Sequence, residues 1–160
     1  MIGVYSLKYD LDRKCRLVRE YDTPYADGYM VTEPKQAADM IETTFKASIQ
    51  PEEFMYLICC DVKMRVKGLF IVSQGGATGT LQNMRGIFMR ALLCNATNII
   101  VVHNHPSGEC EPSRKDILCN EKLEDACELM EITLSDNIIL GNGKYYSFKN
   151  DKVTMIKGGE

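Results

Sequence analysis

"NIIVVHNHPSGECEPSRKD", residues 98–116, is the stretch on which the reading of this chain turns. Ile99 to Val102 form a continuous apolar run, as in a strand buried on both faces. The run ends on His103-Asn104-His105. A short, turn-rich loop, "PSGECEP", follows. Ser113, with Asp116 three residues on, then sits in the positions of a capping box that opens a helix. A buried strand turning through a short loop into a helix predicts an α/β fold.

Working outward from this stretch gives the remaining elements. Ile117, Leu118, Leu123, Ala126, Cys127 and Met130 supply an apolar face and carry the helix to about residue 130. "ITLSDNIILGNGKYYSFK" reads as a strand, a Gly-Asn-Gly turn and a short final strand. Upstream, "MRGIFMRALLCNA" has apolar residues at helical spacing and predicts a helix over 85–95. Residues 54–60 are continuously apolar, "DVKMR" is a polar turn, and "VKGLFIVS" is a second strand, so the two form a hairpin. "GGATGT" is a loop. A helix is expected over 34–48, with Thr32 as cap, Pro34 in its first turn and a stripe at Ala38, Met40, Ile41, Phe45 and Ile49. The Tyr-rich first thirty residues alternate only in part, as a hairpin or loosely held strands would. The expected organisation is an N-terminal segment over 1–50, one domain over 51–150 and a frayed tail over 151–160. The architecture is a central mixed sheet flanked by helices, with the 113–130 helix beside the histidines and an exposed sheet edge available for dimer formation.

Composition narrows the function classes. The chain has 160 residues, 45 % of them hydrophobic and 26 % charged, enough for one domain with a full core. Its net charge of −3 gives no bulk attraction for nucleic acid. No apolar run approaches the length that spans a bilayer. The start, "MIGVYSLKYD", lacks the basic head and apolar core of a signal peptide, so a cytoplasmic location is expected. The seven cysteines are odd in number and form no CxxC, which fits small apolar residues or free thiols better than a disulfide framework.

The two histidines are the only ones in the chain. Residues two apart on a strand share a face, so both imidazoles can converge on one ion. Asp116, on the first turn of the following helix, completes a two-His, one-carboxylate set suited to zinc. A fourth position left to water would make such a site catalytic. Hydrolysis also needs a carboxylate that takes the water's proton and a donor for the oxyanion. Ser113 is a candidate donor, although its hydroxyl also suits a plain helix cap. Glu52 and Glu53 both stand at the start of the 54–60 strand, and spacing alone does not choose between them. Cys110 lies in the ligand loop, where it is either a further thiolate ligand or an exposed cysteine without a role. Met55, Met89 and Met130 occupy apolar positions and are expected in the core.

The pattern His-x-His, seven residues, Ser, two residues, Asp resembles the zinc signature of the JAMM (MPN-plus) metalloprotease superfamily. "HNHPSG" with the later Pro-Ser and Asp resembles its RadC-like JAB branch. The resemblance extends over roughly residues 50–149. "EFMYLICCD" resembles the strand that begins with the family's catalytic Glu, and "SDNIILGNGKYYSF" resembles its closing strands. It implies a JAB/MPN fold of cytidine-deaminase-like architecture. It implies zinc as cofactor on His103, His105 and Asp116, Glu53 as base and Ser113 as oxyanion helper, cleaving an amide bond in a protein or peptide. It also carries a DNA-repair and mobile-element association, in which the domain is a zinc-bearing interaction module. A deaminase is disfavoured because the Pro-Cys-x-x-Cys pair is absent. Two departures stand out. Asn83-Met84-Arg85-Gly86 replaces the usual His-Pro-Arg-Glu, keeping Arg85 as a candidate carboxylate or phosphate contact. Ser135-Asp136-Asn137 replaces Leu-Asp-His.

Overall fold

A computed structural model describes residues 1–75 and 83–156. The chain runs β1 (Gly3–Tyr9), β2 (Cys15–Asp22), α1 (Pro34–Phe45), a short 3-10 turn (Ala47–Ile49), β3 (Glu53–Cys60), β4 (Val66–Gly75), α2 (Met84–Leu93), β5 (Asn98–Asn104), α3 (Arg114–Leu129), β6 (Thr133–Leu140), β7 (Lys144–Ser147) and β8 (Lys152–Met155). The strands form one mixed sheet in the order β2-β1-β4-β3-β5-β6-β7-β8. The β1–β4 and β5–β6 pairs are parallel and the others antiparallel. Among the described residues, no helix is long and apolar enough to cross a membrane.

β3 and β5 lie at the centre, which accounts for their unbroken apolar runs. Alternate residues enter opposite layers. Tyr56, Ile58, Cys60, Ile100 and Val102 pack against Ala37, Ala38, Met40 and Ile41 of α1. Met55, Leu57, Cys59, Ile99 and Val101 pack against Ile87 and Ala91 of α2 and Leu123 and Cys127 of α3. Each large apolar side chain so buried contributes about 1.5–3 kcal/mol.

α1 is shorter than its apolar stripe predicts. It stops at Phe45 because Lys46 takes a left-handed conformation (φ 54°) while its N–H still bonds Glu42 O. The Glu42 carboxylate then accepts from the N–H and hydroxyl of Ser48. Ile49, expected on the stripe, is exposed as a result. The N-cap is Glu33 rather than Thr32, because Gln36 Oε1 reaches back to the N–H groups of both residues. α3 begins and ends near its expected limits, but its apolar face is narrower. Ile117, Leu118 and Met130 are exposed, while Asp116 and Asn120 are buried beside Leu123 and Cys127. The expected hairpin within residues 1–30 is present as β1–β2. Lys152–Met155 of the expected tail pair with β7 as β8. The loop expected over 75–80 lies outside the described residues after Gly75, as does the end at 157–160.

α3 makes the β5-to-β6 crossover, as a parallel pair requires. The C-terminal end of β5 therefore opens straight onto the N-terminus of α3. In α/β sheets that junction, where strand ends face helix starts, is where ligands bind.

Candidate metal centre

His103 is the penultimate residue of β5, on the α3 side of the sheet with the parity of Ile99 and Val101, and His105 follows just beyond the strand. Their Nε2 atoms lie 3.2 Å apart. Asp116 closes the group from α3, with Oδ1 3.4 Å from His103 Nε2 and Oδ2 3.4 Å from His105 Nε2. β3 pairs with β5 so that Met55 stands opposite His103. Glu53 shares the parity of Met55 and so comes to the histidine face, where its Oε1 is 3.9 Å from His103 Nε2. Glu53, His103 and His105 offer ligand atoms that all lie within 4.8 Å of one another. That trio could hold a metal ion, and Asp116 stands beside it with one oxygen against each imidazole. Glu52 has the opposite parity, and its side chain accepts from Gln74.

The loop geometry follows from local chemistry. His105 N donates to Leu140 O, and Gly108, at φ +84°, carries the loop back. Gly108 O accepts from Asn142 N at 2.8 Å. A Cβ at Gly141 would lie 2.4 Å from the same carbonyl oxygen, so only glycine fits there. Lys144 pairs with Glu109 across this contact. The Glu109 carbonyl is 2.9 Å from His105 Nδ1 and accepts a hydrogen bond from its N–H, which leaves Nε2 with a free lone pair in the neutral ring.

At the start of α3, Ser113 Oγ accepts from Asp116 N at 3.1 Å. Asp116 Oδ2 accepts from the Ser113 N–H at 2.7 Å and from its hydroxyl at 2.6 Å. Ser113 is therefore a helix cap that also aims the carboxylate at the histidines. Burial opposes ionisation of Asp116, but hydrogen bonding with His103, His105 and Ser113 outweighs it and holds the carboxyl well below its usual range. The helix N-terminus favours the same charge. Burial likewise disfavours a charged His105, yet Asp116, the Glu109 carbonyl and Glu53 together raise its pKa. A buried His103 and a partly buried His105 beside two carboxylates are a donor set that could hold a metal ion.

Asn104, Cys110 and Asn83 have structural roles that the sequence alone did not assign. Asn104 points to the α1 side, where it is 1 % exposed. Its Oδ1 accepts from Phe54 N at 2.8 Å and its Nδ2 donates to Glu52 O at 2.9 Å, so it clamps the backbone on both sides of Glu53. Strand parity was the available signal, since a polar residue between two histidines that share a face must point to the opposite, packed face and find backbone partners there. Cys110 is neither an exposed cysteine nor a group facing the imidazoles. It is fully buried against Ile139 and Tyr146, and burial pushes its thiol pKa up. Asn83 caps α2 by accepting from Gly86 N at 2.8 Å, and a Cβ at Gly86 would meet the Asn83 side chain within 2.4–2.8 Å. Asn83 and Gly86, two of the three departures in that stretch, are thus a matched pair. Arg85 between them is exposed.

Residues 31–153 match the family described as RadC-like JAB domain. A UPF0758 protein of Thermotoga maritima is 30 % identical over 158 residues, covering 94 % of this chain and 65 % of that protein. One of Roseiflexus castenholzii is 31 % identical over 129 residues, covering 81 % of this chain and 54 % of its own length. One of Streptococcus suis is 42 % identical over 91 residues, covering 57 % and 36 %. The chain spans about a third to two thirds of the length of these relatives.

Proposed function

The chain belongs to the RadC-like JAB domain family, and from that premise we propose that it is a zinc-dependent hydrolase cleaving an amide bond, in a peptide or an isopeptide linkage. The observation that carries this reading is the approach of His103 Nε2 and His105 Nε2 to 3.2 Å, with an Asp116 oxygen 3.4 Å from each. Unprotonated nitrogens do not face one another at that distance without a cation or proton between them. Zinc, when bound, supplies a Lewis acid and brings the pKa of a bound water to near 7.

His103, His105 and Asp116 would hold the ion. Glu53 stands 3.9 Å from His103 Nε2 on β3. It takes the proton of the attacking water and returns it to the departing amine. Asn104 keeps it there by fixing the backbone at Glu52 and Phe54. The Ser113 hydroxyl turns from Asp116 Oδ2 to the developing oxyanion. The Ser113 N–H still donates to Oδ2, so the carboxylate keeps its aim while the hydroxyl is away. A protein or peptide is the substrate class that suits this chemistry. DNA association draws no support from a chain of net charge −3.

Glu53→Gln separates the roles. The expected result is full zinc content by elemental analysis, with hydrolysis of a peptide or isopeptide library reduced by roughly 10²–10⁴-fold. Glu52→Gln should change neither. Loss of zinc from Glu53→Gln would make Glu53 a ligand and refute its role as base. Undiminished hydrolysis would refute the mechanism. A protein that binds zinc yet cleaves nothing before or after the substitution is an interaction module.

A further inference from the structure

Beneath His103 and Asp116 lies a small cavity of about 20 Å³, walled by Met55, Val101 and Leu123 and reached by Asn137 of β6. That volume accommodates one water molecule. Asn137 is 7 % exposed and stands beside Val101 in the β5–β6 register, on the face that carries His103. Its Nδ2 donates to Asn120 Oδ1 at 3.0 Å, and Asn120 Nδ2 donates to Glu124 Oε1 at 2.9 Å. The chain of donors fixes both amides. A carboxylate only accepts, so Asn120 turns its NH₂ to Glu124 and its oxygen to Asn137. Asn137 must then present its own NH₂ to Asn120. Its Oδ1 is left buried, without a hydrogen-bond partner among the described residues. A buried amide oxygen in that condition calls for a bridging group.

His103 supplies the complementary need. Its Nε2 faces His105, Asp116 and Glu53. Offering that nitrogen's lone pair to a cation requires the proton to sit on Nδ1, and ligand histidines commonly give that proton to an oxygen acceptor. The Glu109 carbonyl fills this role for His105. We propose that one water in the cavity accepts a hydrogen bond from His103 Nδ1–H and donates one to Asn137 Oδ1. Asn137 is thereby a positioning residue that sets the tautomer in which His103 offers Nε2 to the metal. The Asn120–Glu124 relay holds the Asn137 amide in the required orientation. This inference rests on the reading of His103 as a metal ligand.

Zinc affinity is measured by competition with a chromogenic chelator, for the full chain, Asn137→Leu, Asn137→Asp and the His103→Ala/His105→Ala double variant. Asn137→Leu fills the cavity and removes the acceptor. It should bind zinc roughly 10–100-fold more weakly; it also leaves Asn120 Oδ1 without its donor, so its affinity is read well below its melting temperature. Asn137→Asp keeps an acceptor but loses the NH₂ that Asn120 Oδ1 accepts from, so it should bind zinc more tightly than Asn137→Leu and less tightly than the parent. Nitrogen-15 spectra of the zinc-loaded parent should show His103 protonated at Nδ1, a readout independent of whether any variant folds. Unchanged affinity in Asn137→Leu, with zinc lost from the double-histidine variant, overturns the role of Asn137 and spares the metal centre. A His103 lacking the Nδ1 proton overturns it as well. Zinc retained by the double-histidine variant removes the metal centre and this inference together.

Discussion

Replacing Asn104 with alanine should cost this fold more than a single side chain ordinarily does, and should cost the site more than the fold. Asn104 is 1 % exposed, and its amide is the partner of Phe54 N and Glu52 O. Alanine leaves that N–H and C=O unpaired at the point where β3 enters the sheet. Each orphaned buried group costs about 1–3 kcal/mol. Glu52 is half-buried, so water recovers part of its share, and the expected total is about 2–4 kcal/mol. For a chain of this length about 1 kcal/mol moves the melting temperature by about 2–4 °C, so the midpoint should fall by about 5–15 °C. Urea unfolding at fixed temperature checks the free energy, and its slope checks that the transition remains two-state. Because the two freed groups flank Glu53, hydrolysis measured well below the midpoint should fall while zinc stays bound by residues on β5 and α3. A stability loss under about 0.5 kcal/mol, or a variant that hydrolyses as well as its parent while folded, would refute the clamp.

Gly141→Ala should destabilise the protein by about 1–3 kcal/mol and weaken zinc binding. The new Cβ would sit 2.4 Å from Gly108 O and push the ligand loop away. Thermal melts and chelator competition read the two effects, and an unchanged zinc affinity would separate the loop from the site. Asp136 supplies a pH test away from the metal centre. Burial raises its pKa against hydrogen bonds from Ser147 Oγ, Lys149 N and Asn137 N. A carboxyl with a raised folded pKa binds its proton more tightly in the native state. Its contribution is therefore fully present below the unfolded value near 4 and is lost as pH rises through the folded value. The stability of the parent relative to Asp136→Asn should accordingly increase as pH is lowered from 7 towards 4, and a difference that stays flat would contradict the assigned shift.

The elements with strong local patterns were legible in the sequence. The apolar runs of β3 and β5, the turn at 61–65, the Ser113–Asp116 capping box and the His-x-His spacing each lie within a few residues. Period and capping chemistry act over that range, so the strand–loop–helix unit and its histidines followed from residues 98–116 alone. Helix ends followed less well. Lys46 stops α1 through a left-handed backbone that the apolar stripe does not announce. Ile117 and Leu118 have the spacing of core residues but face outward, because α3 turns Asp116 and Asn120 to the sheet instead. What only the tertiary structure decided was everything carried by contacts between distant segments. Spacing left Glu52 and Glu53 open and the family resemblance implied Glu53; its place on the histidine face follows from the Met55-to-His103 register of β3 and β5. Asn104 finds its partners at sequence separations of 50 and 52, and Asn137 meets Asn120 from a different element. Cys110 is buried because the ligand loop folds onto Ile139 and Tyr146. A one-residue slip in strand pairing would send Glu53 to the opposite face, and no local pattern records that register, because it is set by the packing of two layers against the sheet.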